Sequence, residues 1–269
     1  AIALRTTVAG SVHVIADVQG YVVGGEVAAA GALVPVTPAR VFDSRNTTRV
    51  AANTSVDVVV AGVAGVPTDA TAVVANLTVT GPARPGYLTA WPTGVARPTA
   101  SNVNFVVGQT VPNMAILKVG ANGRISIYNS AASAVDVIVD LQGYVTAGTP
   151  TLAGTIKPIS PTRVLDTREG YYPVPGNDGG WVDFDSPDLA SFPQGVLVNL
   201  TVAEPQTAGW LSAYPYGVER PVVSNLNYTA GAVVPNLALV ALTQGYAMIY
   251  NGSIGSTHVI IDVLAYVLS

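Results

Sequence analysis

The sequence contains no cysteine, only two histidines and two methionines, and lysine only at Lys118 and Lys157. Without cysteine there is no disulfide, no thiolate metal site and no Cys nucleophile. His13 and His258 are too few for a His-rich metal centre. With a net charge of −4 and so little lysine, no basic stripe forms. This argues against nucleic acid and against an anionic membrane surface as partners. Charged residues are 10% of the chain. Long hydrophobic runs are also missing. The longest near-apolar stretch, 56–66, is short and includes Asp57 and glycines. No segment is therefore expected to span a bilayer as a helix. Nor does any window keep a helical period over three turns.

Hydrophobic residues make up 49% of the chain, and the mean hydropathy is +0.44. The excess lies in Val, Ala and Thr, which suit half-buried pleated strands. One run, Val135 to Tyr144, carries a single Asp, Asp140, among Val, Ile and Leu and ends in an aromatic. It recurs around Asp17 and around Asp262, 123 and then 122 residues away. Other blocks repeat at the same interval. The segment 35–45, Pro-Val-Thr-Pro-Ala-Arg-Val-Phe-Asp-Ser-Arg, returns at 158–168 as Pro-Ile-Ser-Pro-Thr-Arg-Val-Leu-Asp-Thr-Arg. Asn76-Leu77-Thr78-Val79 returns as Asn199-Leu200-Thr201-Val202. Ser101-Asn102-Val103-Asn104 returns as Ser224-Asn225-Leu226-Asn227, and Val111-Pro112-Asn113 as Val234-Pro235-Asn236.

Short strand signals separated by Gly/Pro turns predict an all-β fold. The expected architecture is two tandem β-sandwich, jelly-roll-like modules of roughly 110–120 residues each, the ordinary size of a domain. Their expected extents are 35–146 and 158–269, with linkers at 24–34 and 147–157. Residues 1–23 read as the closing hairpin of a preceding repeat, so the chain is expected to be a piece of something longer. Three closing hairpins serve two module bodies, and one hairpin is left without a body. An unpaired apolar strand recruits a partner, so head-to-tail assembly by strand exchange is one expectation. The modules diverge mainly where 49–71 faces 172–195, which marks exposed loops and an edge.

The repeated start, the Asn-Leu-Thr-Val strand, the Ser-Asn-x-Asn block and the closing Val-Ile-x-Asp strand resemble tandem modules of secreted, surface-associated actinobacterial proteins. The resemblance spans nearly the whole chain. It implies an extracellular or cell-surface location and attaches no established activity.

Several constellations are candidates for function. Asp43, Arg45, Asp140, Asp166, Arg168 and Asp262 read either as a carboxylate pair for glycoside hydrolysis or as structural ion pairs joining first strand to last. Buried charges are normally paired, and the ion-pair reading is preferred. Tyr87, Thr89 and Trp91 share one strand face by alternation, as do Trp210, Ser212 and Tyr214. Aromatics roughly 13 Å apart, at ~3.3 Å per residue, suit stacking on sugar rings or covering a sheet face. Asn102, Asn104, Asn225 and Asn227 suit sugar hydroxyls or the satisfaction of turn backbone. Asp178, Asp183, Asp185 and Asp188 form an acidic stretch, a weak calcium candidate without EF-hand spacing. No cofactor is expected. The function expected is a non-enzymatic structural or adhesive repeat protein at the cell surface, partnered by copies of itself. The alternative is a carbohydrate-binding pair of modules that takes a glycan or cell-surface polymer.

Overall fold

The computed structural model describes residues 29–170, 172–222 and 224–269. The fold is all-β, and among the described residues the strands form four four-stranded antiparallel sheets, two per module. In the first module the strands are β1 (Leu33–Asp43), β2 (Ser55–Val59), β3 (Ala72–Thr80), β4 (Gly86–Pro92), β5 (Val103–Phe105), β6 (Val111–Lys118), β7 (Arg124–Asn129) and β8 (Asp136–Val145). They pair as β1-β8-β3-β6 and β2-β7-β4-β5. The second module repeats this with β9 (Ile156–Asp166), β10 (Asp178–Asp183), β11 (Gly195–Ala203), β12 (Gly209–Pro215), β13 (Leu226–Tyr228), β14 (Val234–Ala241), β15 (Tyr246–Asn251) and β16 (His258–Val267). Its sheets run β14-β11-β16-β9 and β10-β15-β12-β13.

Strand position follows from residue type. Pro35, Pro112, Pro158 and Pro235 fall on β1, β6, β9 and β14, the edges of their sheets, whereas Pro92 and Pro215 occupy only the last position of the central strands β4 and β12. A central strand would lose a ladder hydrogen bond to a proline in its interior. The apolar closing strands β8 and β16 sit centrally, between β1 and β3 and between β9 and β11. Each body is thus completed by the segment that follows it, but that segment is not the expected hairpin: β7 and β8, like β15 and β16, lie in different sheets and do not pair. The segment left over, 2–23, lies outside the described residues. Among the described residues no strand of one module pairs with a strand of the other.

In β3, residues Val73, Ala75, Leu77 and Val79 point inward, while Val74, Asn76 and Thr78 are half-exposed on the outer face. The inward set meets Leu88, Ile125 and Ile127 of the opposite sheet. The second core is built alike from Val196, Val198, Leu200, Leu211, Ile249 and Ile261. Fully burying side chains of this size stabilises by about 1.5–3 kcal/mol each. The divergent segment supplies β10, an edge strand, as its variability suggested.

A buried asparagine fastens each sandwich. Asn129 donates to the carbonyls of Val50, Ala51 and Ser133 and accepts from Ala131 N–H. Asn251 does the same for Val174, Pro175, Gly255 and Ser253. One amide satisfies backbone from two loops at once, which explains a polar residue in so dry a place.

Candidate functional site

The site is the junction of the modules, and it begins with one row of residues across a sheet. In the second module Arg163, Asp262, Asn199 and Leu237 stand side by side on β9, β16, β11 and β14. The matching row in the first module is Arg40, Asp140, Asn76 and Met114 on β1, β8, β3 and β6. Both rows face away from their own cores.

The ion pairs are duplicated within the row. Arg40 holds Asp140 in a fork, Nε to Oδ1 at 2.8 Å and Nη2 to Oδ2 at 3.1 Å, and reaches Asp43 at 3.2 Å. Arg163 holds Asp262 and Asp166 at the same distances. Asp43 and Asp166 also accept from their following arginines, Arg45 and Arg168, through backbone N–H and guanidinium. The Arg45 hydrogen bond holds the Asp43 carboxyl down to about 2. Asp166 is lowered too; burial opposes this, and the Arg168 bonds outweigh it. Asp140 pairs with Arg40 rather than with Arg45. Arg40 and Arg163 are therefore the bridging residues, although the sequence reading had singled out only the flanking arginines.

What differs between the rows is cover. The Asp262 side chain is fully buried, whereas that of Asp140 is 26% exposed. Strand β16 is buried on both faces along most of its length, whereas β8 alternates. The cover comes from β5 and β6 of the first module, which pack on β14, β16 and β9. Ser101 N–H donates to Asp262 Oδ2 at 3.0 Å. Asn199 Nδ2 donates to Ser101 O. Asn113 Nδ2 donates to Asn199 Oδ1 at 2.8 Å, and Asn113 Oδ1 accepts from Leu237 N–H at 3.2 Å. Around these polar contacts Leu237, Leu264, Ala265 and Ile156 join the first module's apolar core. Burial pushes the Asp262 carboxyl up, and the Arg163 fork offsets only part of that rise.

The expected sugar residues are placed differently from an open aromatic row. Trp91 is only 6% exposed, and its Nε1 donates to Val95 O at 3.1 Å. Tyr214 is buried likewise, and Thr89 and Ser212 are wholly buried. Thr89 Oγ1 donates to Ala100 O. The reason is that the chain after β4 folds back over this face, so strand alternation did not separate core from solvent there. Tyr87 and Trp210 remain about one-third exposed. Trp210 lies flat on Gly252, where a Cβ would come within 2.1 Å of the ring. Asn102 and Asn225 spend their Oδ1 on the N–H of Ala90 and Ala213, both at 2.7 Å. Asn104 and Asn227 donate to Ser101 and Ser224. Asn102 and Asn104 shape the loop that builds the junction, and Asn225 and Asn227 shape its counterpart in the second module. Tyr87 and Asn104 also line a cleft of about 310 Å³ at the junction, together with Arg97, Arg163 and Arg168.

The acidic stretch is held locally. Asp178, Asp183 and Asp185 each accept a nearby backbone N–H, and Lys157 donates to Asp188 O. Among the described residues no three His, Asp or Glu side chains come together as a metal site. Sequence reasoning missed a different cluster. Trp181 and Tyr216 are well exposed, and Tyr246 packs between them, 5.6 Å edge-on from Trp181 and 6.2 Å from Tyr216. Trp181 lies in the divergent segment, where no repeat partner drew notice to it.

No family model and no curated protein matches this chain. Solved structures align at low identity. The major capsid protein P2 of Bacteriophage PM2 is 11% identical, with 88% of this chain and 98% of that one covered and a TM-score of 0.36. A chain of Sulfolobus Turreted Icosahedral Virus is 9% identical over 88% and 90%, with a TM-score of 0.32. The CBM22-1–CBM22-2 tandem domain from Paenibacillus barcinonensis is 11% identical over 90% and 99%, with a TM-score of 0.26. At such scores the likeness carries no functional inference. Among the described residues no helix is long and apolar enough to cross a membrane.

Proposed function

We propose that this chain is a non-enzymatic, extracellular structural and adhesive repeat protein whose modules are locked into a rigid rod. The observation that carries this reading is the junction itself. Asn113, Asn199, Ser101 and Asp262 interlock there, all with low exposure and all from residue blocks that recur in both modules. A buried polar network sealed inside apolar contacts fixes one relative orientation, because any other arrangement leaves its groups unpaired. Each carboxylate shared by the repeats, Asp43, Asp140, Asp166 and Asp262, is engaged by a guanidinium. None is left to act as an acid or base. The resemblance of the repeat blocks to those of surface-associated actinobacterial proteins supports an extracellular location in this reading. Residual dipolar couplings test the rigidity. Both modules should report one alignment tensor, and two different tensors would mean a flexible tether and end the rod reading.

A second reading has its own observation. The Trp181–Tyr246–Tyr216 cluster presents aromatic faces of the kind that stack on sugar rings. On that reading the rod's second module holds a glycan or cell-surface polymer. A polysaccharide ligand should quench tryptophan fluorescence, and Trp181→Ala should abolish retention on that polysaccharide with little change in melting temperature. A glycan array without any hit, or retention unchanged in Trp181→Ala, would remove the carbohydrate reading and leave the rod untouched.

A further inference from the structure

The junction uses one surface of each module, and each module also carries the other surface. The first module contributes an edge: Ser101, Asn102 and Asn113. The second contributes a face: Arg163, Asp262, Asn199 and Leu237. The unused edge belongs to the second module, as Ser224, Asn225 and Asn236. The unused face belongs to the first, as Arg40, Asp140, Asn76 and Met114.

Both unused surfaces are already shaped as their counterparts are. On the edge, Asn236 Nδ2 donates to Asn225 O at 2.6 Å, as Asn113 Nδ2 does to Asn102 O. Asn225 N–H donates to Leu211 O at 2.9 Å, as Asn102 N–H does to Leu88 O at 2.8 Å. On the face, Arg40 grips Asp140 with the geometry of Arg163 on Asp262. Asn76 Nδ2 reaches Thr78 Oγ1 at 3.4 Å, the distance from Asn199 to Thr201. What the surfaces lack is cover. Met114 is 41% exposed, whereas Leu237 is 9% exposed.

We propose that a second copy of this chain docks the Ser224–Asn225–Asn236 edge of its second module on the Arg40–Asp140–Asn76–Met114 face of the first module, repeating the internal junction between chains. The inference rests on the rod reading and names the rod's partner. By correspondence, Ser224 N–H meets the Asp140 carboxylate, Asn76 donates to Ser224 O, and Asn236 joins Asn76 to the Met114 N–H. The contact is heterologous. Each added chain presents a fresh edge and a fresh face, so assembly grows head to tail unless it closes into a ring. One substitution tempers it. Leu264 of the internal junction is matched by half-buried Gln142 on the free face. A junction with one fewer buried leucine is weaker, so single chains and short arrays coexist. No strand changes sheet, which distinguishes this joint from strand exchange.

Sedimentation of the full chain over rising concentration tests the idea. The average mass should climb past that of a dimer. Met114→Arg disables the face and leaves the edge; Ser224→Glu sets a carboxylate against Asp140 and leaves the face. Each variant alone should stay monomeric with an unchanged near-ultraviolet dichroism spectrum. Mixed together they should form a one-to-one heterodimer and nothing larger, since one productive joint remains. If either variant misfolds, Asn76→Arg for the face or Asn236→Asp for the edge takes its place. A wild-type chain that is monomeric at millimolar concentration overturns the proposal, as does association that survives both substitutions. A wild type that stays monomeric while Met114→Arg lowers its melting temperature assigns the face to a segment of the same chain, and also overturns it. A single alignment tensor in such a monomer would leave the internal rod standing while this joint falls.

Discussion

Replacing Asp262 by alanine is expected to destabilise the second module by about 3–5 kcal/mol, the usual result of removing one partner from a buried ion pair. Arg163 would lose its fork and keep only the single contact to Asp166, and Ser101 N–H would lose its acceptor across the junction. The same change at Asp140 is expected to leave the urea midpoint almost unmoved. Its pair with Arg40 is open to water, where solvent competes for both charges. Equilibrium urea unfolding of the two variants in parallel makes the comparison. Equal losses at the two sites would show that module contact does not set the strength of the pair.

The second large effect is expected from Asn113→Ala. This side chain makes three hydrogen bonds in a place closed to water, two of them to the other module. Its loss strands the carbonyl of Asn102, the amide oxygen of Asn199 and the N–H of Leu237. Each buried group left unpaired costs about 1–3 kcal/mol. The wild type is expected to unfold in one transition, and in this variant that transition should broaden or split as the modules part company. Asn236→Ala, the same change on the uncovered edge, should shift the midpoint far less, because water can reach what it leaves behind. A full-length chain whose transition stays sharp in Asn113→Ala would show that the apolar contacts of Leu237 and Leu264 alone couple the modules.

Much of this was legible in the residues. Val, Thr and Ile in short runs between Gly and Pro turns have one comfortable home, a pleated sheet with one face buried. A period near 122 residues makes two such units. Pairing of the repeated Asp and Arg residues also followed from elementary cost, since a carboxylate among valines needs a cation. The partner was misplaced by a few residues: Arg40 and Arg163, rather than Arg45 and Arg168, reach the closing strand. β1 and β9 carry bulges that re-aim their side chains, and a bulge leaves little trace in a sequence.

The aromatics show where alternation fails. Tyr87 and Trp91 lie on one face by count, yet one is partly open and the other is covered by the segment folded back after β4. That cover comes from the loop directly after β4, at Val95 and Ala100, and strand alternation does not record which way a loop folds. Trp181 escaped notice for the converse reason, being exposed in a segment whose sequence diverges from its counterpart at 49–71.

The sequence by itself determined the strand-forming character of the chain, the twofold repetition and the need for each repeated Asp to find an Arg, because these depend on backbone chemistry and on charge in an apolar strand. Only the tertiary structure decided that Asp262 is sealed while Asp140 is not, and that Asn113 and Asn199 meet. Identical residues in identical strands acquire different environments when one module lies on the next, and burial is a property of what stands opposite rather than of the residue itself.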